Sequence, residues 1–222
     1  MSITIIITSD FICPWCFVGE RRLEKALKTL PEKAAVEIEW RPFELNPAMP
    51  PEGMDRKIYR TLKFGSWERS RALDTQTVAA TEHDDIAFDY DAMARTPNTF
   101  QAHRLMWFAD RQGLATPVAK ALFSAYFEQG RDIGDVAVLC VIAGEQGLDR
   151  QAVEAFFASD QGLADVRNAE DAHRHQGVRS VPLFDIAGTI ISGAQAVEIF
   201  EKALKQATEL DQSCVEGSCS VG

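Results

Sequence analysis

The sequence has little basic charge: 23 lysines and arginines stand against 33 aspartates and glutamates, for a formal net charge of −10. That balance argues against nucleic acid as a partner, because phosphate binding needs clustered Lys and Arg to displace counterions, and no basic stripe is present. Long apolar runs are missing too. No stretch approaches the roughly 18 consecutive residues that cross a bilayer, and Met1 to Thr8 has neither the basic region nor the small-residue cleavage site of a secretory leader. The expected compartment is the cytoplasm, with no membrane partner. Internal repeats and low-complexity segments are also absent, and 46% hydrophobic with 25% charged residues is the composition of an ordinary folded chain, neither disordered nor fibrous. At 222 residues it is long enough for one domain or for a domain carrying a large insertion.

Cysteine is scarce, at five. In a reducing compartment structural disulfides are rare, so close cysteine pairs point to redox chemistry or to metal, and the odd count leaves at least one outside any pair. Two pairs are present: Cys13 and Cys16 near the start, Cys214 and Cys219 near the end.

What surrounds the first pair gives it a chemistry. Ile3 to Thr8, ITIIIT, is a β-branched run without alternation, which predicts a strand covered on both faces and central in a sheet. After the cysteines, Leu23, Ala26, Leu27 and Leu30 recur at helical spacing up to Pro31. The strand therefore delivers Cys13 to a helix N-terminus, with Pro14 at the first helical position where proline is favoured. A thiol attacks a disulfide only as thiolate, and unpaired N–H groups with the partial positive charge of a helix N-terminus stabilise that anion. Cys16, one turn on, can close a disulfide with Cys13 and acts as the resolving thiol. Trp15 and Phe17 flank the nucleophile as a candidate apolar rim for an unfolded peptide.

Farther along, Val36, Ile38 and Trp40 alternate with Glu37 and Glu39 as a half-exposed strand, and the proline-rich RPFELNPAMPPEG from Arg41 reads as a boundary. Helical signals dominate from there to about Asp160. Within them Cys140 sits in an apolar stretch as a small buried hydrophobe, and Met106, Trp107, Phe108, Leu122, Phe123, Tyr126 and Phe127 read as core. A helix from about Leu163 to Gln176 places His173 and His175 on a solvated face, too poorly aligned to hold a metal together. A hairpin around Ala187-Gly188-Thr189 and a last helix from about Ala194 to Leu210 follow. A right-handed crossover makes the first two strands parallel neighbours.

Five segments together, SDFICPWCFVG at Ser9–Gly19, RPFELNP at Arg41–Pro47, RTPNTFQAHRL at Arg95–Leu105, GVRSVPLF at Gly177–Phe184 and ISGAQ at Ile191–Gln195, resemble the DsbA-like branch of the thioredoxin superfamily. The resemblance covers essentially the whole chain and is closest to cytoplasmic FrnE-type dithiol-disulfide oxidoreductases. It implies an α/β thioredoxin fold with a large α-helical insertion. The domains would be 1–42 with 160–210 as the thioredoxin-like part, 43–159 as the insertion and 211–222 as a redox-active tail. It also implies that Pro182 is cis and faces the reactive cysteine, so that Val181 can offer backbone groups to an extended substrate. Disulfide-bearing proteins would be substrates. No cofactor is implied beyond glutathione or another thiol reductant as electron donor. Related glutathione-dependent isomerases and transferases carry serine where this chain has Cys13, and the periplasmic branch has histidine where it has Trp15. A reductase or isomerase in a glutathione-poised cytosol is the expected role.

The tail pair is five residues apart, which in continuous helix separates the Cα atoms by about 8 Å, beyond disulfide reach. Gly217 permits a turn that would close it as a second redox pair. Similar FrnE-type proteins can carry such a motif. Two alternatives stay open: a metal site through Cys13, Cys16, Cys214 and Cys219, and a glutathione-dependent small-molecule isomerase or transferase.

Overall fold

The computed structural model describes residues 2–31 and 34–215, with side chains through Glu209. In chain order, β1 (Ser2–Ser9), α1 (Pro14–Leu27) and β2 (Ala35–Pro42) come first. They are followed by β3 (Met54–Asp55), α2 (Arg56–Phe64), α3 (Trp67–Ala80) and β4 (Arg95–Thr96). Next are α4 (Phe100–Asp110), α5 (Ala115–Phe127), α6 (Val136–Glu145), α7 (Arg150–Phe157) and α8 (Leu163–His175). The chain then makes β5 (Leu183–Ile186), β6 (Thr189–Ser192) and α9 (Val197–Val215).

One four-stranded sheet runs in the order β2-β1-β5-β6. β1 and β2 are parallel, with Ser2 opposite Ala35 through Ser9 opposite Pro42, and β5 is antiparallel to β1 on its other side. The hairpin turns at Ala187 and Gly188, both at positive φ, which suits the strand twist. A strand, crossover helix and parallel strand, completed by an antiparallel hairpin and a last helix, make the thioredoxin fold. Helices α2 to α7 follow β2 and precede α8, as a helical insertion requires.

Two cores meet at α1. Leu23 and Ala26 on its C-terminal half pack with Ile3, Ile5, Ile7, Phe184 and α9 residues Phe200 and Leu204. Its N-terminal half sends Cys16 and Phe17 into the helical core with Leu105, Phe123 and Phe127. Phe17 lies face to face with Phe123 and Phe127, at centroid distances of 5.4 and 5.8 Å. Met106, Leu122 and Tyr126 are core, as their spacing predicts, while Trp107 and Phe108 are only partly buried. Cys140 is buried at 1% exposure on α6.

Several expectations need correcting. The N-terminal half of β1 is covered on one face only, since Ser2 and Thr4 are exposed while Ile3 and Ile5 are buried; both faces are covered only from Ile7 to Ser9. β2 runs on through Arg41 and Pro42, because Pro42 ends an outer strand where its missing N–H costs no ladder bond. α2 and the β3–β4 ribbon have no counterpart in the hydrophobic pattern. His173 is buried rather than solvated, with Nδ1 3.4 Å from the Pro42 carbonyl, because α8 lays that face against β2. α9 continues past Leu210 to Val215, so Cys214 lies in its last turn; the Cys214 side chain and Cys219 lie outside the described residues.

The contact between α1 and the hairpin is close. A Cβ added at Gly19 would lie 2.8 Å from Cζ of Phe184 and 3.4 Å from Cγ of Pro182. Phe184 is fully buried and cannot swing away. Overpacking costs about 1–3 kcal/mol and outweighs the gain of up to about 1 kcal/mol from better helix propensity. Gly19→Ala is expected to lower unfolding stability by about 1 kcal/mol or more, measured by chemical denaturation; a more stable variant would contradict this packing.

Candidate active site

Cys13 is the N-cap of α1, with extended backbone (φ −92°, ψ 110°), and Pro14 opens the helix. The first turn is closed by bonds from the Cys16 and Phe17 amides to the Cys13 carbonyl, at 3.0 and 3.3 Å. The Cys13 side chain makes no cap bond, so its thiol turns outward to the chain crossing above it: Sγ lies 3.8 Å from the Val181 carbonyl oxygen. The Val181–Pro182 peptide is cis. That segment is tied to the hairpin by the Gly193 amide donating to the Pro182 carbonyl at 2.9 Å, and the Gln195 amide group donates to Ser192 at 2.8 Å.

Both cysteines are free and buried, Cys13 at 5% and Cys16 at 2% exposure. Burial pushes the Cys16 thiol well above its ordinary range, and the hydrogen bond and charge of Cys13 beside it push the same way. The Ser9 side chain and Asp10 backbone offset only part of this. Trp15 is 40% exposed and can form part of a rim. Phe17 cannot: it is fully buried, because three residues beyond Pro14 the helix has turned that position toward the helical core.

Behind the dithiol lies a buried polar layer that sequence reading passed over, although Asp10, Glu44 and His103 stand inside the quoted motifs. Asp10 Oδ2 accepts from the Leu45 amide at 2.7 Å, and Oδ1 lies 3.7 Å from His103 Nε2. Glu44 pairs with Arg167, its amide donates to Glu170 at 2.8 Å, and its carbonyl accepts from Arg174 at 2.7 Å. The RPFEL segment is thereby pinned beside the helix that carries the cysteines. Burial and the neighbouring Glu170 push the Glu44 carboxyl up to about 7. Burial alone would lower His103, but Asp10, Glu170 and Glu44 outweigh it and hold the imidazole above its usual range.

On the other side of Cys13, Ile12, Pro14 and Leu45 border a cleft whose walls include Arg56, Arg60, Lys63, Asn46 and Tyr59. Arg56 and Arg60 both pair with Asp74, at 2.7 and 2.6 Å, so two cations share one carboxylate and Lys63 adds a third positive charge to the cleft wall. Asn46 takes the Tyr59 hydroxyl at 2.6 Å on its oxygen, while its buried Nδ2 has no partner among the described residues. Among those residues no group of three or more His, Cys, Asp or Glu side chains is arranged to hold a metal ion. None of their helices is long and apolar enough to cross a membrane.

Residues 4–205 match the family model of the DSBA-like thioredoxin domain. The uncharacterized protein YwbO of Bacillus subtilis (strain 168) is 30% identical over 206 residues, covering 92% of this chain and 96% of that protein. Among solved structures, the probable DsbA oxidoreductase SCO1869 from Streptomyces coelicolor is 32% identical with a TM-score of 0.83, covering 93% of this chain and 90% of its own. The cytosolic disulfide reductase DsbM from Pseudomonas aeruginosa, solved with GSH, shares the fold at 16% identity and a TM-score of 0.63, covering 95% and 98%.

One turn below Cys16 on α1, Glu20 is 3% exposed, and burial pushes its carboxyl up to about 7 despite Lys120 at 3.6 Å. A carboxyl raised in the folded state stabilises folding while protonated. Its contribution is full below about 4.5, the unperturbed value, and is lost as pH rises through about 7. Glu20→Gln is therefore expected to be more stable than the parent at pH 8, by about 1–3 kcal/mol, with the difference gone near pH 4.5. Urea melts at the two pH values measure it. A variant equally destabilised at both would show that the Lys120 pair dominates instead.

Proposed function

The chain belongs to the DSBA-like thioredoxin family, and from that premise we propose that it is a thiol-disulfide oxidoreductase of the FrnE type, acting as reductase or isomerase on protein disulfides in the cytoplasm. The thioredoxin-like part is assigned to 1–42 with 160–210, and the helical insertion to 43–159. The observation that carries the reading is the placement of the Cys13 sulfur, at the start of α1 and against the Val181 carbonyl beside cis-Pro182.

In the proposed cycle the Cys13 thiolate attacks one sulfur of a substrate disulfide. A mixed disulfide forms and the other substrate sulfur leaves as thiolate. Cys16 then gives up its proton and attacks Cys13 Sγ. The Cys13–Cys16 disulfide forms, and the second substrate thiol is released. Val181 backbone groups pair with an extended substrate, while Trp15 and Leu45, at 40% and 38% exposure, supply apolar contact. Two equivalents of an external thiol return the pair to the dithiol.

The basic cleft supports an anionic thiol of the glutathione kind as that reductant. Its excess positive charge suits carboxylates, and the cleft borders Ile12 and Pro14 on either side of Cys13. DsbM, which has the same fold, was solved with GSH. The tail pair Cys214 and Cys219 is proposed as an accessory relay.

Cys13→Ser is expected to abolish reduction of a model protein disulfide. Cys16→Ser should instead accumulate a mixed disulfide at Cys13, visible by mass spectrometry of the quenched reaction. Turnover that survives Cys13→Ser would refute the assignment. For the cleft, Lys63→Glu reverses an exposed charge without touching the core, and should raise KM for glutathione about fivefold or more, the scale of one partly exposed ion pair. Unchanged KM would point to a different reductant.

A further inference from the structure

The helical insertion reaches the segment above Cys13 by a second route, which the cycle above does not use. It runs through Arg22, on α1 beyond Gly19. Arg22 Nε lies 2.9 and 3.1 Å from the two carboxylate oxygens of Asp84, and Nη2 lies 2.8 Å from Oδ2. The two side chains are 18% and 8% exposed. Asp84 follows α3 in the insertion, and its own amide donates to the Thr81 carbonyl at 2.9 Å. The third guanidinium nitrogen, Nη1, donates to the Ala194 carbonyl at 2.8 Å. A forked arginine–carboxylate pair shielded in this way is directional and stronger than a surface ion pair.

Ala194 lies in the turn between β6 and α9, next to Gly193, whose amide donates to the Pro182 carbonyl at 2.9 Å. The Gln195 amide closes the turn by donating to the Gly193 carbonyl at 3.0 Å. Pro182 carries Val181, whose carbonyl oxygen is 3.8 Å from Cys13 Sγ. A continuous line of bonds therefore leads from Asp84 through Arg22, Ala194 and Gly193 to the segment facing the nucleophile. Cys13 caps the helix that also carries Arg22, so one rigid element holds both the sulfur and the group that ties down what lies above it. Arginine suits the place because its planar fork takes a carboxylate on one edge and a carbonyl on another nitrogen in fixed directions; a lysine ammonium on a flexible stem does not. We infer that Arg22 is a positioning residue: clamped by Asp84, it fixes the turn at 193–195 and, through it, the Val181–Pro182 segment against which an extended substrate pairs.

A neighbouring contact gives the contrast. Lys25 pairs with Asp85 at 2.8 Å and donates to the His83 carbonyl, so it joins α1 to the same insertion loop. Among the described residues neither Lys25 nor Asp85 bonds to the turn at 193–195. The catalytic consequence of Arg22 rests on the redox reading; the positioning itself does not.

Amide hydrogen exchange in the full chain, followed by NMR with the β1 amides as reference for global opening, reports the positioning. Arg22→Met should speed exchange of the Gly193 amide at least about fivefold relative to that reference, the effect of losing a charge-assisted hydrogen bond beside it. Arg22→Lys keeps the charge next to Asp84 and should show the same acceleration; it serves where the methionine variant does not fold. Lys25→Met should match the parent at Gly193. For the consequence, pre-reduced protein is given a single turnover on two peptides joined by a disulfide, or on hydroxyethyl disulfide. Arg22→Lys should raise the peptide concentration for half-maximal rate about fivefold, since the peptide pairs with the Val181 backbone, and leave the small disulfide unchanged. Unchanged Gly193 exchange in Arg22→Lys, equal acceleration in Lys25→Met, or equal losses on both disulfides would overturn the inference. A parent inactive on both disulfides would instead sink the redox reading, with Gly193 exchange still deciding the role of Arg22.

Discussion

The N-terminus of α1 is fixed because the helix is gripped at two levels by two different cores. Leu23 and Ala26 belong to the sheet and α9, while Cys16 and Phe17 belong to the helical insertion. Burying side chains of this kind is worth about 1.5–3 kcal/mol each, so neither half of α1 can shift without losing contacts in its own core. The Cys13 sulfur is consequently held against Val181 by packing from both sides and not by a cap bond of its own. A thioredoxin-type sheet alone would hold the lower half; the insertion is what holds the end that carries the cysteines.

The polar layer behind the dithiol works differently. Asp10, Glu44, Glu170, His103, Arg167 and Arg174 bring charge into a region where desolvation opposes it, and buried ion clusters of this kind are weak sources of stability. Their effect is positional. Glu44 is bonded through its carboxylate, its amide and its carbonyl, and Leu45 through its amide, so the chain after β2 is fixed on three sides. That fixed segment walls the basic cleft with Leu45 and Asn46 on one side and buttresses α4 through Asp10 and His103 on the other.

The parts legible in the sequence were those governed by one dominant signal. The β-branched run, the CPWC spacing and Pro14 all depend on local rules, and β1, α1 and the cysteine positions follow from them. The hairpin was legible because Ala187-Gly188 interrupts two apolar runs. Helix α2 was not, because it is joined to α3 by Arg56, Arg60 and Asp74 and leaves Ile58 and Leu62 exposed, so no apolar stripe marks its buried face. Phe17 and His173 were misplaced for a related reason. Each sits on a helix whose partner layer comes from distant sequence, Phe123 and Phe127 for one and β2 for the other, and helical spacing alone does not say what a face will meet. Asp10, Glu44 and His103 stood in plain view within recognised motifs, yet their chemistry arises only when three separate segments converge.

That convergence gives the two cysteines unequal surroundings. The Cys16 thiol is held protonated first by burial and then by the hydrogen bond and charge of Cys13. Burial is constant through the cycle, but the contribution of Cys13 is not. In the proposed cycle Cys13 joined to a substrate sulfur carries no charge, so its charge no longer acts on Cys16. What remains beside Cys16 is the Ser9 side chain and the Asp10 backbone, which favour the anion. In the proposed cycle, Cys16 is therefore easier to ionise in the mixed disulfide than in the dithiol. Two equivalent, exposed thiols would lack that ordering, since each could attack the substrate first; placing one sulfur at the helix end and the other a turn deeper supplies it by geometry.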